Sequence, residues 1–138
     1  MKNPAKKLTL SITAGLLLSS LLLQSAFADN LPAGYVVSGG LTWTSNNGMG
    51  LFSDANGMCA NKIESGADNW RLPTQQELSA LYSASKSAFT TAGWSLQHTW
   101  TSTGGEKVGA GYHYEVYLYS GTSGLATDKE LMHVTCVH

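Results

Sequence analysis

The side chains able to do chemistry in this 138-residue sequence are few: four histidines, two cysteines, nine carboxylates and six tyrosines. His98, His113, His133 and His138 are separated by 15, 20 and 5 residues, gaps that match no metal-ligand motif. His113 and His133 could meet across paired strands, but two donors alone do not make a site, and no metal or other cofactor is expected. A Gly-x-Ser-x-Gly elbow, a His-Glu-x-x-His pair and a phosphate-binding glycine loop are all missing from the sequence. Glu77 has the type of a general acid. Thr74, three residues before it, gives it a structural role instead. The Thr74 hydroxyl accepts from the Glu77 amide while the carboxylate accepts from the Thr74 amide, a capping box. No residue is assigned a catalytic role, and the chain is not read as an enzyme.

The two cysteines, Cys59 and Cys136, are 77 positions apart, far from the Cys-x-x-Cys spacing of redox or metal pairs. Their compartment decides their state. Lys2, Lys6 and Lys7 precede an uncharged apolar run over residues 8–23, and Gln24-Ser25-Ala26-Phe27-Ala28 ends in a small-x-small pattern. This is the layout of a secretory signal peptide, with cleavage expected after Ala28. The run is shorter, and more interrupted by Ser and Thr, than the roughly 20 apolar residues of a membrane span. Export to the periplasm or beyond is oxidising, so Cys59 and Cys136 are expected to pair. Closing a loop of this length is credited with roughly 4.5 kcal/mol in the chain-entropy model.

Beyond Ala28 remain 110 residues, enough for one core and not two. They carry five basic and nine acidic side chains, so no basic stripe is available for nucleic acid, and no later run is apolar enough to enter a membrane. Fourteen glycines beside four tryptophans and six tyrosines describe a turn-rich fold filled by a few large side chains. Residues 29–39 read as a leader and first strand, and residues 40–138 as the domain proper. Tyr35-Val36-Val37 and Leu41-Thr42-Trp43-Thr44 flank a Ser38-Gly39-Gly40 turn. Ser53 is positioned to cap a short helix with Ala55, Met58 and Cys59 on one face. Pro73 and Thr74 start a second helix, whose Leu78, Leu81 and Tyr82 stripe carries it from Gln75 to about Ser85. Strands are expected at residues 100–103, 112–119 and 132–138, with a turn at residues 121–124. Alternation in the last strand puts Met132, Val134 and Cys136 on one face.

These landmarks occur in a familiar order. Gly40-Leu41-Thr42-Trp43, the helix with Ala55 and Cys59, Trp70-Arg71-Leu72-Pro73-Thr74 followed by Glu77-Leu78, Gly93-Trp94, Trp100-Thr101-Ser102-Thr103 and Val134-Thr135-Cys136-Val137 run through nearly the whole domain. They resemble the C-type-lectin-like module of enterobacterial invasin/intimin-type adhesins and related bacterial surface domains. The resemblance implies an α+β fold, two helices packed on a twisted, mainly antiparallel sheet, with a cysteine of the first helix tied to the last strand. It also implies a virulence-associated binding module that recognises a protein, either a host-surface receptor or an outer-membrane export component. The Glu-Pro-Asn and Trp-Asn-Asp elements of calcium-dependent sugar binding are absent, so that chemistry does not carry over. Oxygenases that activate sulfatases also resemble C-type lectins, which leaves an envelope-acting enzyme as one alternative and a structural envelope protein as another.

A contact surface is expected on the strand of residues 112–119. Tyr112, Tyr114, Val116 and Leu118 alternate onto one face, apolar enough to be core. His113, Glu115, Tyr117 and Tyr119 fall on the other. His113, Tyr117 and Tyr119, with Lys107 on the preceding glycine-rich loop, form the expected binding set, because exposed tyrosines are enriched at interfaces. The alternative is that the helices or Trp94 cover Tyr117 and Tyr119, since strand aromatics usually fill cores.

Overall fold

A computed structural model describes residues 31–64 and 66–138. The expected signal peptide, its cleavage point and the start of the leader lie outside the described residues. The first strands, β1 (Val36–Ser38) and β2 (Leu41–Trp43), form the expected hairpin. Gly39 and Gly40 supply its two-residue turn, both at positive φ (63° and 78°), the conformation that suits the right-handed strand twist.

Further along come β3 (Met49–Gly50), α1 (Phe52–Ala60), α2 (Gln75–Thr91), β4 (His98–Gly104), β5 (Tyr112–Tyr117), β6 (Thr122–Thr127) and β7 (Met132–His133). The five-stranded sheet has the order β3-β7-β4-β5-β6, antiparallel throughout except for one parallel contact of β4 with β7. With two helices among the described residues, this is the expected α+β architecture.

The first helix starts two residues earlier than its sequence implies. Leu51 stands at the N-cap without a side-chain bond, and Ser53 does not cap. The amide of Phe52 instead donates to the Asp128 carbonyl (3.3 Å), so a loop distant in sequence satisfies the helix start. Ala55 and Cys59 are buried as expected, but Met58 is 38% exposed and lies at the rim beside Gly48 and Gly50.

The second helix begins where expected. Thr74 Oγ1 accepts from the Glu77 amide (3.2 Å), and Glu77 Oε2 accepts from the Thr74 amide (2.8 Å). The helix outruns its first apolar stripe. At Ser85 the backbone leaves helical geometry (φ −139°, ψ 25°) and the helix resumes to Thr91, burying Phe89. Gly93 (φ 71°) then closes it, with the Trp94 amide donating to the Phe89 carbonyl (2.9 Å) in a Schellman-type end.

Arg71 forks onto the Glu77 carboxylate (2.8 and 2.7 Å). That contact, with the Thr74 hydrogen bonds, holds the Glu77 carboxyl down at about 2, against the opposing effect of partial burial. A carboxylate depressed in the folded state stabilises fully above its unfolded value, and the contribution fades as pH falls through the folded one. The window here runs from about 4.5 down to about 2. Glu77→Gln should therefore be less stable than the parent at neutral pH, and the two should converge as pH approaches 2; parallel acid-unfolding curves would contradict this.

Two expectations in the second half need correction. The strand at 112–119 ends at Tyr117: the amides of Ser120 and Gly121 both donate to the Tyr117 carbonyl (3.2 and 2.8 Å), turning the chain at Gly121 (φ 75°). Residues 122–124, read as part of a turn, belong instead to β6, which pairs with β5 in unbroken register from Tyr117↔Thr122 to Tyr112↔Thr127. Gly124 is there for space. A Cβ at that position would sit 2.6 Å from Glu115 Oε1.

The final strand, expected over residues 132–138, is strand only at Met132–His133; residues 134–138 run on threaded between two other segments. Val134 and His138 exchange backbone bonds with residues 42–48, Cys136 accepts from the Thr44 amide and donates its own amide to Thr44 Oγ1, and Val137 exchanges two backbone bonds with Arg71 (3.0 and 2.9 Å). Met132, Val134 and Cys136 are buried together with Ala55, Cys59, Leu72 and Trp100, and the Cys59–Cys136 disulfide lies in that core. A second core gathers Leu78, Leu81 and Phe89 of α2 with Trp43, Trp94, Val116 and Leu118. Trp100 pairs with Glu115, so alternation puts Trp100 and Val116 on opposite faces of the sheet, one core on each.

Candidate functional site

The β4–β5 register places His98 directly opposite Tyr117. Their rings stack at 4.4 Å and 11°, and Tyr119, just past the strand, lies 5.9 Å from Tyr117. The three rings form a row at one end of the sheet. Tyr119 is 64% exposed, and its backbone carbonyl receives the Tyr82 hydroxyl at 3.5 Å. Tyr117 is half-buried by its neighbours.

Beneath the row, Glu115 is only 7% exposed and makes a 2.9 Å hydrogen bond with Nδ1 of His98, whose own side chain is 53% exposed. A buried carboxylate needs such a partner. The bond fixes the imidazole and thereby holds the flat surface on which Tyr117 stacks. The absent Cβ of Gly124 makes room for this carboxylate. The arrangement offers rigid aromatic contact area with polar tips.

The other members of the expected set lie elsewhere. His113 is four residues from Tyr117 at the opposite end of β5, stacked on Phe52 at 3.4 Å and 11° and bonded through Nδ1 to Asp128 (2.6 Å). Its ring joins α1 to the sheet. Lys107 is exposed on the loop of residues 104–111 and, with Glu106, Val108, Tyr114 and Leu125, lines a shallow cavity of about 150 Å³. An adjoining hollow of about 390 Å³ is lined by Glu106, Tyr112, His113 and the loop glycines. The structure thus brings Tyr117 and Tyr119 together and separates both from His113 and Lys107.

Sequence reading missed the part played by His98 and Glu115. The sequence offered the histidine-bearing and tyrosine-bearing segments, but only the observed β4–β5 register sets His98 across from Tyr117. The fourth histidine, His133, contacts Asn46 (2.5 Å) and Ser95 (3.3 Å), and burial lowers its pKa. Among the described residues no three His, Cys, Asp or Glu side chains gather as a metal would need, and no helix is long and apolar enough to cross a membrane.

No curated protein sequence matches this chain. Among solved structures, that of the Yersinia pseudotuberculosis adhesin InvE is similar, with a TM-score of 0.55 at 19% identity over 77% of this chain. The match spans 34% of the adhesin, about a third of its length. At that identity the likeness is one of fold, the C-type-lectin-like fold of invasin-type adhesins. The family model of the Lcl C-terminal domain matches residues 37–138, from the first hairpin through the threaded segment and both disulfide cysteines, and the chain belongs to that family.

Proposed function

We propose that this domain is an exported, non-catalytic binding module that recognises a protein partner through the His98–Tyr117–Tyr119 row. The observation that carries the reading is the row itself: two tyrosines and an imidazole held side by side over a buried carboxylate, with the outermost ring largely in solvent. Tyrosine presents a large amphipathic surface with few rotors, so little entropy is lost when it is covered, and such residues dominate binding energy at interfaces. The fold shared with an adhesin fits this reading, as does a disulfide in a sequence with a signal-like start. The partner is a host-surface protein or a component of an invasin-like export system. Lys107 on its exposed loop would serve as a separate polar contact rather than part of the row.

Tyr119→Ala should leave stability within about 0.5 kcal/mol of the parent, as surface changes do. Binding should fall by about 2 kcal/mol or more, roughly 30-fold. Tyr117→Ala should lose binding and also some stability, because its ring supports His98. Thermal melts beside capture of cell-surface and envelope proteins measure both. Unchanged capture by Tyr119→Ala would refute the site, and strong destabilisation by that change would refute its exposure.

A further inference from the structure

β6 is an edge of the five-stranded sheet. The hydrogen-bond parity of β5 shows which of its backbone groups are open. The Asp128 amide donates to the Gly111 carbonyl (2.9 Å), while the Tyr112 carbonyl faces β4, receiving the Gly105 amide (2.7 Å). Odd-numbered residues of β5 therefore bond to β6, and Thr122, Gly124 and Ala126 turn their amides and carbonyls inward. Ser123, Leu125 and Thr127 turn theirs outward. Thr127 is already satisfied within the chain: its amide donates to Glu130 Oε1 (2.9 Å) and its carbonyl accepts from the Glu130 amide (3.0 Å). Among the described residues nothing bonds the outward groups of Ser123 and Leu125, and both residues are exposed.

Edge strands are ordinarily blunted by charge, proline or a bulge. This one has none of the three: Thr122-Ser123-Gly124-Leu125-Ala126-Thr127 is neutral and in unbroken register. The open groups are also self-complementary. Two residues flank Gly124 symmetrically, so an antiparallel copy meets them about a twofold axis at Gly124, with Ser123 opposite Leu125 in both directions. We infer that this edge is a self-pairing surface, on which two copies of the chain join β6 to β6 through the backbone groups of Ser123 and Leu125.

Charge favours a second copy as the occupant. In this register Ser120 of one copy lies opposite Asp128 of the other, and the charged turns of Asp128, Lys129 and Glu130 fall at opposite ends of the joint. An acidic chain thus meets itself without setting like charges face to face. Leu125, 39% exposed, shares the face of Tyr114, so the Leu125 side chains of the two copies become diagonal neighbours and cover one another. The twofold axis stands perpendicular to the sheet, so both aromatic rows would lie on the same side of the pair.

Sedimentation of the purified protein over a concentration series should show a reversible monomer–dimer equilibrium. Amide exchange should slow at Ser123 and Leu125 as concentration rises, with Gly124, already bonded to β5, unchanged. Leu125→Lys, which puts a charge on the edge, and Leu125→Pro, which removes an outward amide together with the leucine side chain, should each shift the equilibrium to monomer with little change in thermal midpoint. A monomer at every concentration would overturn the proposal. So would a dimer indifferent to Leu125→Lys, or protection of Ser123 and Leu125 that appears only when a different protein is added.

Discussion

Replacing Cys59 and Cys136 together by alanine should lower stability by about 2–5 kcal/mol. Both residues are completely buried, and the bridge ties α1 to the threaded segment across 77 positions. Two effects add. The unfolded chain regains the freedom that a long loop closure removes, and the core around Ala55, Leu72 and Val134 loses two sulfur atoms. Against a usual stability of about 5–15 kcal/mol, a loss at the upper end leaves a small domain near its unfolding threshold at body temperature. Denaturant titration of the parent, the reduced parent and the double variant measures the effect. Equal midpoints for all three would show that the bridge contributes nothing. The parent protein, folded under oxidising conditions, should contain no free thiol.

A loss of similar size is expected from Trp100→Ala, about 3–5 kcal/mol. Trp100 is fully buried, packs edge-on against Phe52 (5.7 Å) and donates its indole N–H to the Gly50 carbonyl (2.9 Å). Truncation empties the space between α1 and the sheet and strands the Gly50 carbonyl, which anchors the short β3 strand. Trp100→Phe separates the two contributions, because it keeps an aromatic ring and gives up the hydrogen bond. It should cost less than the alanine change, on the order of 1–3 kcal/mol for the orphaned acceptor and the smaller ring. If both substitutions were equally damaging, the hydrogen bond rather than the volume would be the main contribution.

The elements legible in the sequence were those with a local cause. The Gly39-Gly40 turn, the Thr74/Glu77 box and the Leu78–Leu81–Tyr82 stripe each depend on residues within one or two turns of chain. The cysteine pairing was legible for another reason, since a sequence with only two thiols leaves one intramolecular choice. What escaped depended on distant partners. The start of α1 is satisfied by a carbonyl of Asp128, and the length of α2 past Ser85 depends on Phe89 meeting Trp94 (4.9 Å). Gly124 looked like a turn residue because glycine usually marks one. Its real cause, clearance for the Glu115 carboxylate, lies on a neighbouring strand. The candidate site followed the same division. Alternation located Tyr117 and Tyr119, but the His98–Glu115 support is a cross-strand contact that needs the register, and the separation of His113 from the row reflects the length of β5 rather than its pattern.

The threading of residues 134–138 has a consequence for how quickly this protein reaches its native state. Thr135 and Cys136 bond to Thr44 across 91 and 92 positions, and neither core is complete until that joining occurs. Contacts of such sequence separation must overcome loop-closure entropy before any compensating interaction is gained, so folding rates fall steeply as they accumulate. The α2–β4–β5–β6 stretch is made of neighbours in sequence and can assemble early, on the microsecond scale of helices and hairpins. The slow step is then the insertion of a short extended segment into a slot already flanked by Thr44 and Arg71, the step that seats Cys136 at its native place beside Cys59.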